Sequence, residues 1–153
     1  MKIEVIILIA VPIISVLSLI FVPKSKAFQA QFVFLFVGLP TWILGLTAVQ
    51  LGLIEYPFRE LSTVNRTSFI FEYLVLPIMS IHFNVRFPER SSKVVTIMYY
   101  LGIALGFTVI EYFVEKYTLI LKYTGWQLYW TFISICFIFW LSRKSTQWFF
   151  KGI

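Results

Sequence analysis

Apolar residues run along this chain in five long blocks, and its charged residues are confined almost entirely to the gaps between them. The first block covers 3–22 and stops at Pro23-Lys24-Ser25-Lys26. The second covers 28–54 and is long enough to require tilt or an extended end. The third, 68–83, is the shortest and most polar. The fourth covers 94–114. The fifth covers 126–141 and is followed by Ser142-Arg143-Lys144. A hydrocarbon layer of about 30 Å takes about 20 helical residues to cross, and these blocks lack the polar face that a helix on a soluble core would keep. The pattern predicts an all-α, polytopic membrane protein: a compact bundle of about five transmembrane helices forming one domain over 1–153. The final Trp148-Phe149-Phe150-Lys151 is expected to lie in the membrane interface.

Composition supports this reading. The chain is 59% hydrophobic and 13% charged, where a soluble domain carries about 25% charged residues. Tyr and Trp fall near the block ends, as at Trp42, Tyr56, Tyr73, Tyr99, Tyr123 and Trp126, which suits an aromatic belt. The first block is read as an uncleaved helix, because its lysines follow the apolar run and Glu4 weakens the positive segment a signal peptide would begin with. The net charge of +6 suits orientation and anionic headgroups better than nucleic acid, since the basic residues flank apolar blocks. With the N-terminus outside, Lys24, Lys26, Arg86, Arg90, Lys93, Arg143, Lys144 and Lys151 lie inside, against Lys2, Arg59, Arg66, Lys116 and Lys122 outside. That bias orients the chain with its N-terminus outside and its C-terminus in the cytoplasm.

Proline interrupts three blocks, at Pro12, Pro40 and Pro77, and kinks are expected there. Gly102-Ile-Ala-Leu-Gly106 is a GxxxG, expected to pack within the chain, with self-association as the alternative.

Glu72 and Glu111 are the acids that fall inside apolar blocks, where an ionisable group is costly unless paired or wet. Antiparallel neighbours put both near the outer face. With Glu55, Glu115, Arg59 and Arg66 they form a candidate polar cluster. Its carboxyls would carry protons, hold a cation, or pair with the two arginines. Thr67 or Ser68 would cap the third helix. At the inner end of that helix, His82, Asn84 and Arg86 form a second polar group, expected to make interfacial hydrogen bonds. A lone His with no Cys or Asp nearby makes a poor metal site, so no metal and no cofactor are expected. The chain contains no Asp, no HExxH, no GxSxG and no phosphate-binding glycine loop, and no catalytic residue is assigned.

Thr67-Ser-Phe-Ile-Phe-Glu72-Tyr73, then Pro77, then Phe83-Asn84-Val-Arg86-Phe-Pro88-Glu89 resembles the CBO0543 family of small membrane proteins of spore-forming Firmicutes. Leu121-Lys122-Tyr123 with Trp126, and Leu141-Ser-Arg-Lys144 with Trp148-Phe-Phe-Lys151, carry the same resemblance over most of the chain. It implies a bacterial plasma-membrane setting and no particular activity. Three functions are weighed on these grounds, the first preferred and the second its alternative. The first is a non-enzymatic assembly or structural subunit, partnered by the bilayer and by a second copy or another membrane protein. The second is a small transporter or ligand-binding protein using the outer Glu/Arg cluster. The last is an enzyme acting on lipid, with Glu72 or Glu111 as base.

Overall fold

The computed structural model describes residues 3–151 as five α-helices joined by short turns and one two-residue ladder. Helix α1 spans Ile3–Ser18 and runs on through a 3-10 turn, Leu19–Phe21. A second 3-10 turn, Lys24–Lys26, leads into α2, Ala27–Gln50. That helix stops four residues before its expected end. Gly52 adopts a left-handed φ of +69°, its N–H donates to Val49 O, and Leu53 N–H reaches back to Ala48 O. These are the two bonds of a Schellman motif, for which glycine is the favoured residue. Apolar Leu51, Leu53 and Ile54 mask the stop in the hydrophobic pattern.

Beyond it, β1 (Ile54–Glu55) pairs antiparallel with β2 (Lys122–Tyr123), setting Ile54 opposite Tyr123 and Glu55 opposite Lys122. The bundle end that carries this ladder is called here the ladder end. The opposite end, which holds Lys24, Lys26, Arg86 and Arg90, is the basic end.

The third block starts under a double cap. Glu60 Oε1 accepts the Ile70 N–H at 2.6 Å and the Ser68 hydroxyl at 3.0 Å, while Ser68 Oγ accepts the Phe71 N–H. A π-helical stretch follows, Ile70–Val75, and then α3, Leu76–Val85. Pro77 explains the local geometry. Leu76 N–H donates five residues back, to Phe71 O, so the Glu72 carbonyl loses its usual donor. The next residue that could serve it in π geometry is Pro77, which has no N–H.

Helix α4, Lys93–Tyr117, is capped by Ser92, whose side chain accepts the Val95 N–H. Helix α5, Leu128–Phe150, runs nine residues past the predicted 141. Ser142, Arg143 and Thr146 are buried, and the Arg143 guanidinium sits 4.1 Å from the centroid of the Phe87 ring and pairs with Glu89. Charge therefore does not end this helix, because the protein supplies its partners. Phe149 and Phe150 pack on Phe28 and Phe32, so the terminal aromatic segment continues α5.

Glu4 Oε1 accepts the Leu119 N–H, which fixes the start of α1 at the ladder end, whereas α5 finishes at the basic end. Three segments, Ile3–Phe21, Lys24–Gln50 and Lys93–Tyr117, are long and apolar enough to cross a membrane. The third block is shorter, and α5 carries Arg143 and Lys144 within its length. Near the basic end, α2, α3 and α5 meet through Val33, Val37, Ile81 and Ile138. On the α4 side of α3, Phe83 stacks on Phe139 with ring centroids 4.7 Å apart. At the ladder end Ala48, Ile54, Tyr56 and Leu121 form a smaller cluster. The GxxxG of α4 departs from expectation: nothing lies within 4 Å of a Cβ built on Gly102 or Gly106, so neither packs within this chain.

Candidate functional site

Glu72 and Glu111 line one cavity of about 200 Å³ at the ladder end, walled by α2 and α5 and roofed by the ladder. Glu72 enters from the π-helical stretch. Its carboxyl lies over Gly45 of α2, where an added Cβ would come within 2.7 Å of Glu72 Cδ. Glycine is required there for space, not for conformational freedom. Tyr56, just beyond β1, donates its hydroxyl to Glu72 Oε1 at 3.0 Å. The Thr41 hydroxyl donates to the Glu72 carbonyl at 2.6 Å, serving the acceptor that Pro77 leaves open.

Glu111 is held from the other side. Its Oε1 accepts the Tyr123 hydroxyl at 2.5 Å and the Thr131 hydroxyl at 2.7 Å, and Thr131 in turn accepts the Trp126 indole N–H at 2.8 Å. Both tyrosines stand outside the helices. Burial first, and then the neighbouring Glu72 and Glu111 carboxyls, hold the Tyr56 phenol well above its ordinary value. Burial and then Glu111 raise Tyr123 in the same way. Both phenols are thereby kept as donors. The hydrogen bonds described use only Oε1 of each acid. Among the described residues neither Oε2 has a hydrogen-bond partner, and no Lys, Arg or His lines the cavity. A second recess of about 60 Å³, between the π-helical stretch and α4, shares Tyr56, Glu72, Leu76, Phe107 and Glu111 with the first.

The roof is tightly fastened. The N–H groups of Thr124, Gly125 and Trp126 all converge on Leu53 O at 3.0 Å. A Cβ on Gly125 would press on Leu53 Cδ2 at 3.1 Å. The Thr124 hydroxyl adds a bond to Gly52 O.

Comparison with known protein families, curated proteins and solved structures finds no match. The site is therefore argued from its own geometry.

Of the predicted outer cluster, the fold brings only Glu72 and Glu111 together. Glu55 points outward from β1. Arg59 binds the carbonyls of Tyr56, Ser62 and Asn65, clipping its own loop. Arg66 is exposed and, with Glu55 and Arg59, lines a separate surface depression beyond the roof. Glu115 offers its backbone carbonyl to Lys122. The expected pairing of the acids with Arg59 and Arg66 does not form. The salt bridge among the described residues is Arg143–Glu89. No group of three or more His, Cys, Asp or Glu among the described residues is placed to hold a metal ion.

At the basic end, His82 lies between Arg86 and Ser18. Arg86 can only donate, so His82 Nδ1 accepts its bond at 2.6 Å, and Nε2 donates to Ser18 Oγ at 2.8 Å. Ser18 then donates to Ser15 O. Asn84 is buried, and its amide donates to Ser80 O and Ser142 Oγ, tying α3 to α5. These contacts stitch helices together and enclose no cavity. Thr41, Tyr56, Tyr123, Trp126 and Thr131 surround the two acids, and sequence reasoning did not single them out as their partners. The available signal was an aromatic close to each end of the blocks that carry Glu72 and Glu111, which reads equally well as an interfacial belt.

Proposed function

We propose that the chain is a multi-pass membrane protein that binds, and as an oligomer transports, a small organic cation in the cavity between Glu72 and Glu111. One observation carries this reading: two carboxyls, each with an unpartnered oxygen, face one largely apolar cavity that no basic side chain enters. An acid pair without a cation is costly in such surroundings, and a bound ammonium group would offset that cost. Tyr56 and Trp126 in the roof and Phe107 on the wall add aromatic rings, side chains that attract cations. At about 200 Å³ the space is smaller than drug-sized pockets, which run from about 300 Å³ upward, so the occupant is compact. The three long apolar helices support a membrane setting. The Lys/Arg bias supports the ladder end as the outer face, and the family resemblance supports a bacterial plasma membrane. The solute leaves unchanged in this reading, so no catalytic residue is invoked.

The test is thermal unfolding of the purified protein in mild detergent with butylammonium, beside butanol as the uncharged control. At about 100-fold above its dissociation constant a ligand stabilises the folded state by about 2.7 kcal/mol. Butylammonium is expected to raise the midpoint while butanol does not, and a folded Glu72→Gln variant is expected to lose the response. No response in the wild type would remove the proposal.

A second reading, a non-enzymatic assembly subunit, is favoured by the uncovered Gly102 and Gly106 on α4.

A further inference from the structure

The route into the cavity is set by which of its walls are closed. Leu53, Ile54, Tyr56 and Trp126 form the roof at the ladder end, locked by the three N–H groups on Leu53 O. Towards the basic end, α2 and α5 are in contact through Val33, Val37 and Ile138 and through the Phe28, Phe32, Phe149 and Phe150 rings. Between these closures both helices line the cavity, α2 through Thr41, Leu44 and Thr47 and α5 through Thr131, Ser134 and Ile138. Its rim on α2 is exposed and mostly apolar: Leu44 is 43% and Leu51 67% exposed, with Thr47 between them. The opening therefore faces sideways, between α2 and α5, in the direction that lipid occupies in the reading above.

Depth agrees with this direction. Leu44 lies six residues before the end of α2, and Glu111 six before the end of α4, each about 9 Å of helix. That is the level at which the charged head of a membrane-dissolved amphiphile meets the acyl region.

We infer that the cavity takes long-chain primary or quaternary amines from the bilayer, with the cationic head between Glu72 and Glu111 and the alkyl tail passing out between α2 and α5. This rests on the reading of the two acids as a cation site within a membrane. The volume limits what is enclosed to the head and the first few methylenes. The rest of the tail leaves past Leu44 and lies along the exposed Ile43 and Leu39, where it stays in apolar surroundings at no desolvation cost.

The experiment uses the full chain in lipid nanodiscs and a twelve-carbon primary amine bearing a diazirine at its far end. After photolysis, labelled positions are mapped by mass spectrometry, with and without excess butylammonium. Label concentrated on α2 between Leu39 and Leu51 and on α5 between Ile133 and Leu141, reduced by butylammonium and by Glu72→Gln, is the expected result. Label spread evenly over all lipid-facing helices and insensitive to butylammonium, while butylammonium still raises the thermal midpoint, would overturn the sideways route and leave the cation site standing. Label at the roof residues would do the same. Absence of both labelling and a butylammonium response would overturn the cation site itself.

Discussion

The Thr41 hydroxyl donates to the backbone carbonyl of Glu72 at 2.6 Å, joining α2 to the π-helical stretch at the point where the main chain cannot satisfy itself. Thr41 also lies within reach of Val37 O at 2.9 Å and Gly38 O at 3.2 Å, but it has one proton to give. The Glu72 contact is the shortest of the three, and its carbonyl has no helical donor. Thr41→Val leaves that acceptor unpaired and is expected to destabilise the fold by about 1–3 kcal/mol. Thr41→Ser keeps the hydroxyl and should retain most of the stability. Denaturant unfolding in mixed micelles measures both.

Pro77 makes Thr41 necessary, so the two positions should be coupled. Pro77→Ala supplies an N–H five residues after Glu72. In that background the cost of Thr41→Val is expected to fall to about 1 kcal/mol or less, a non-additivity that a double-mutant cycle reads directly. Additive effects would mean that the π-helical stretch persists for another reason.

Gly45 is the floor beneath the Glu72 carboxyl. Gly45→Ala brings a methyl group within 2.7 Å of Cδ and 2.9 Å of Oε1, which must displace the acid from Tyr56. The expected cost is about 1–3 kcal/mol in stability and about tenfold or more in butylammonium affinity. The stability cost should disappear when Glu72 is also replaced by Ala. Persistence of the cost in the double variant would show that Glu72 is not what Gly45 accommodates.

The Arg143–Glu89 pair gives a pH dependence of defined sign. The hydrogen bond from Arg143, with its charge and those of Lys26 and Arg90, holds the Glu89 carboxyl below its ordinary value. A depressed folded value means that stability is present above the unfolded value, about 4.3, and is lost as pH falls through the folded one. Glu89 is 66% exposed although Arg143 is only 6% exposed, so water screens the pair and the increment is about 1 kcal/mol or less. Thermal midpoints should decline at acid pH more steeply in the wild type than in Glu89→Gln. That variant should already lack the increment at neutral pH.

The uncovered glycines of α4 separate the two functional readings. Gly102→Ala with Gly106→Ala adds methyl groups that meet nothing within the chain, and each gains about 1 kcal/mol in helix propensity. The pair of substitutions is expected to melt no lower than the wild type and to keep the butylammonium response. A lower midpoint, together with loss of a dimer trapped by cross-linking in membranes, would favour the assembly subunit instead.

The helices were legible because long apolar blocks allow little else, and their approximate extents follow from where Lys, Arg and Pro interrupt them. The errors share a cause: a run of side chains reports solvent preference, not hydrogen bonding. Leu51, Leu53 and Ile54 look helical although Gly52 has already turned the chain. Ser142-Arg143-Lys144 looks like an exit from the bundle although Glu89 and Phe87 receive Arg143. Glu72 and Glu111 stood out because acids inside apolar blocks are rare. Their partners did not, because Tyr56 and Tyr123 are brought to them by a two-residue ladder that pairs Ile54 with Tyr123 and Glu55 with Lys122, segments far apart in sequence, and no local pattern encodes that pairing.

That ladder has a consequence for biosynthesis. A ribosome releases Glu111 before Tyr123, Trp126 and Thr131, the groups that will hold and cover it. Until they follow, the Glu111 carboxyl lacks the hydroxyl donors that hold it in the folded chain. Only when the strand and the first turn of α5 emerge does the carboxyl acquire its hydroxyls, and only then is the roof closed over Glu72 as well. A chain stalled or truncated before that point would hold the segments of four helices yet lack the groups that enclose the acid pair, so the site depends on the last part of the chain to be made.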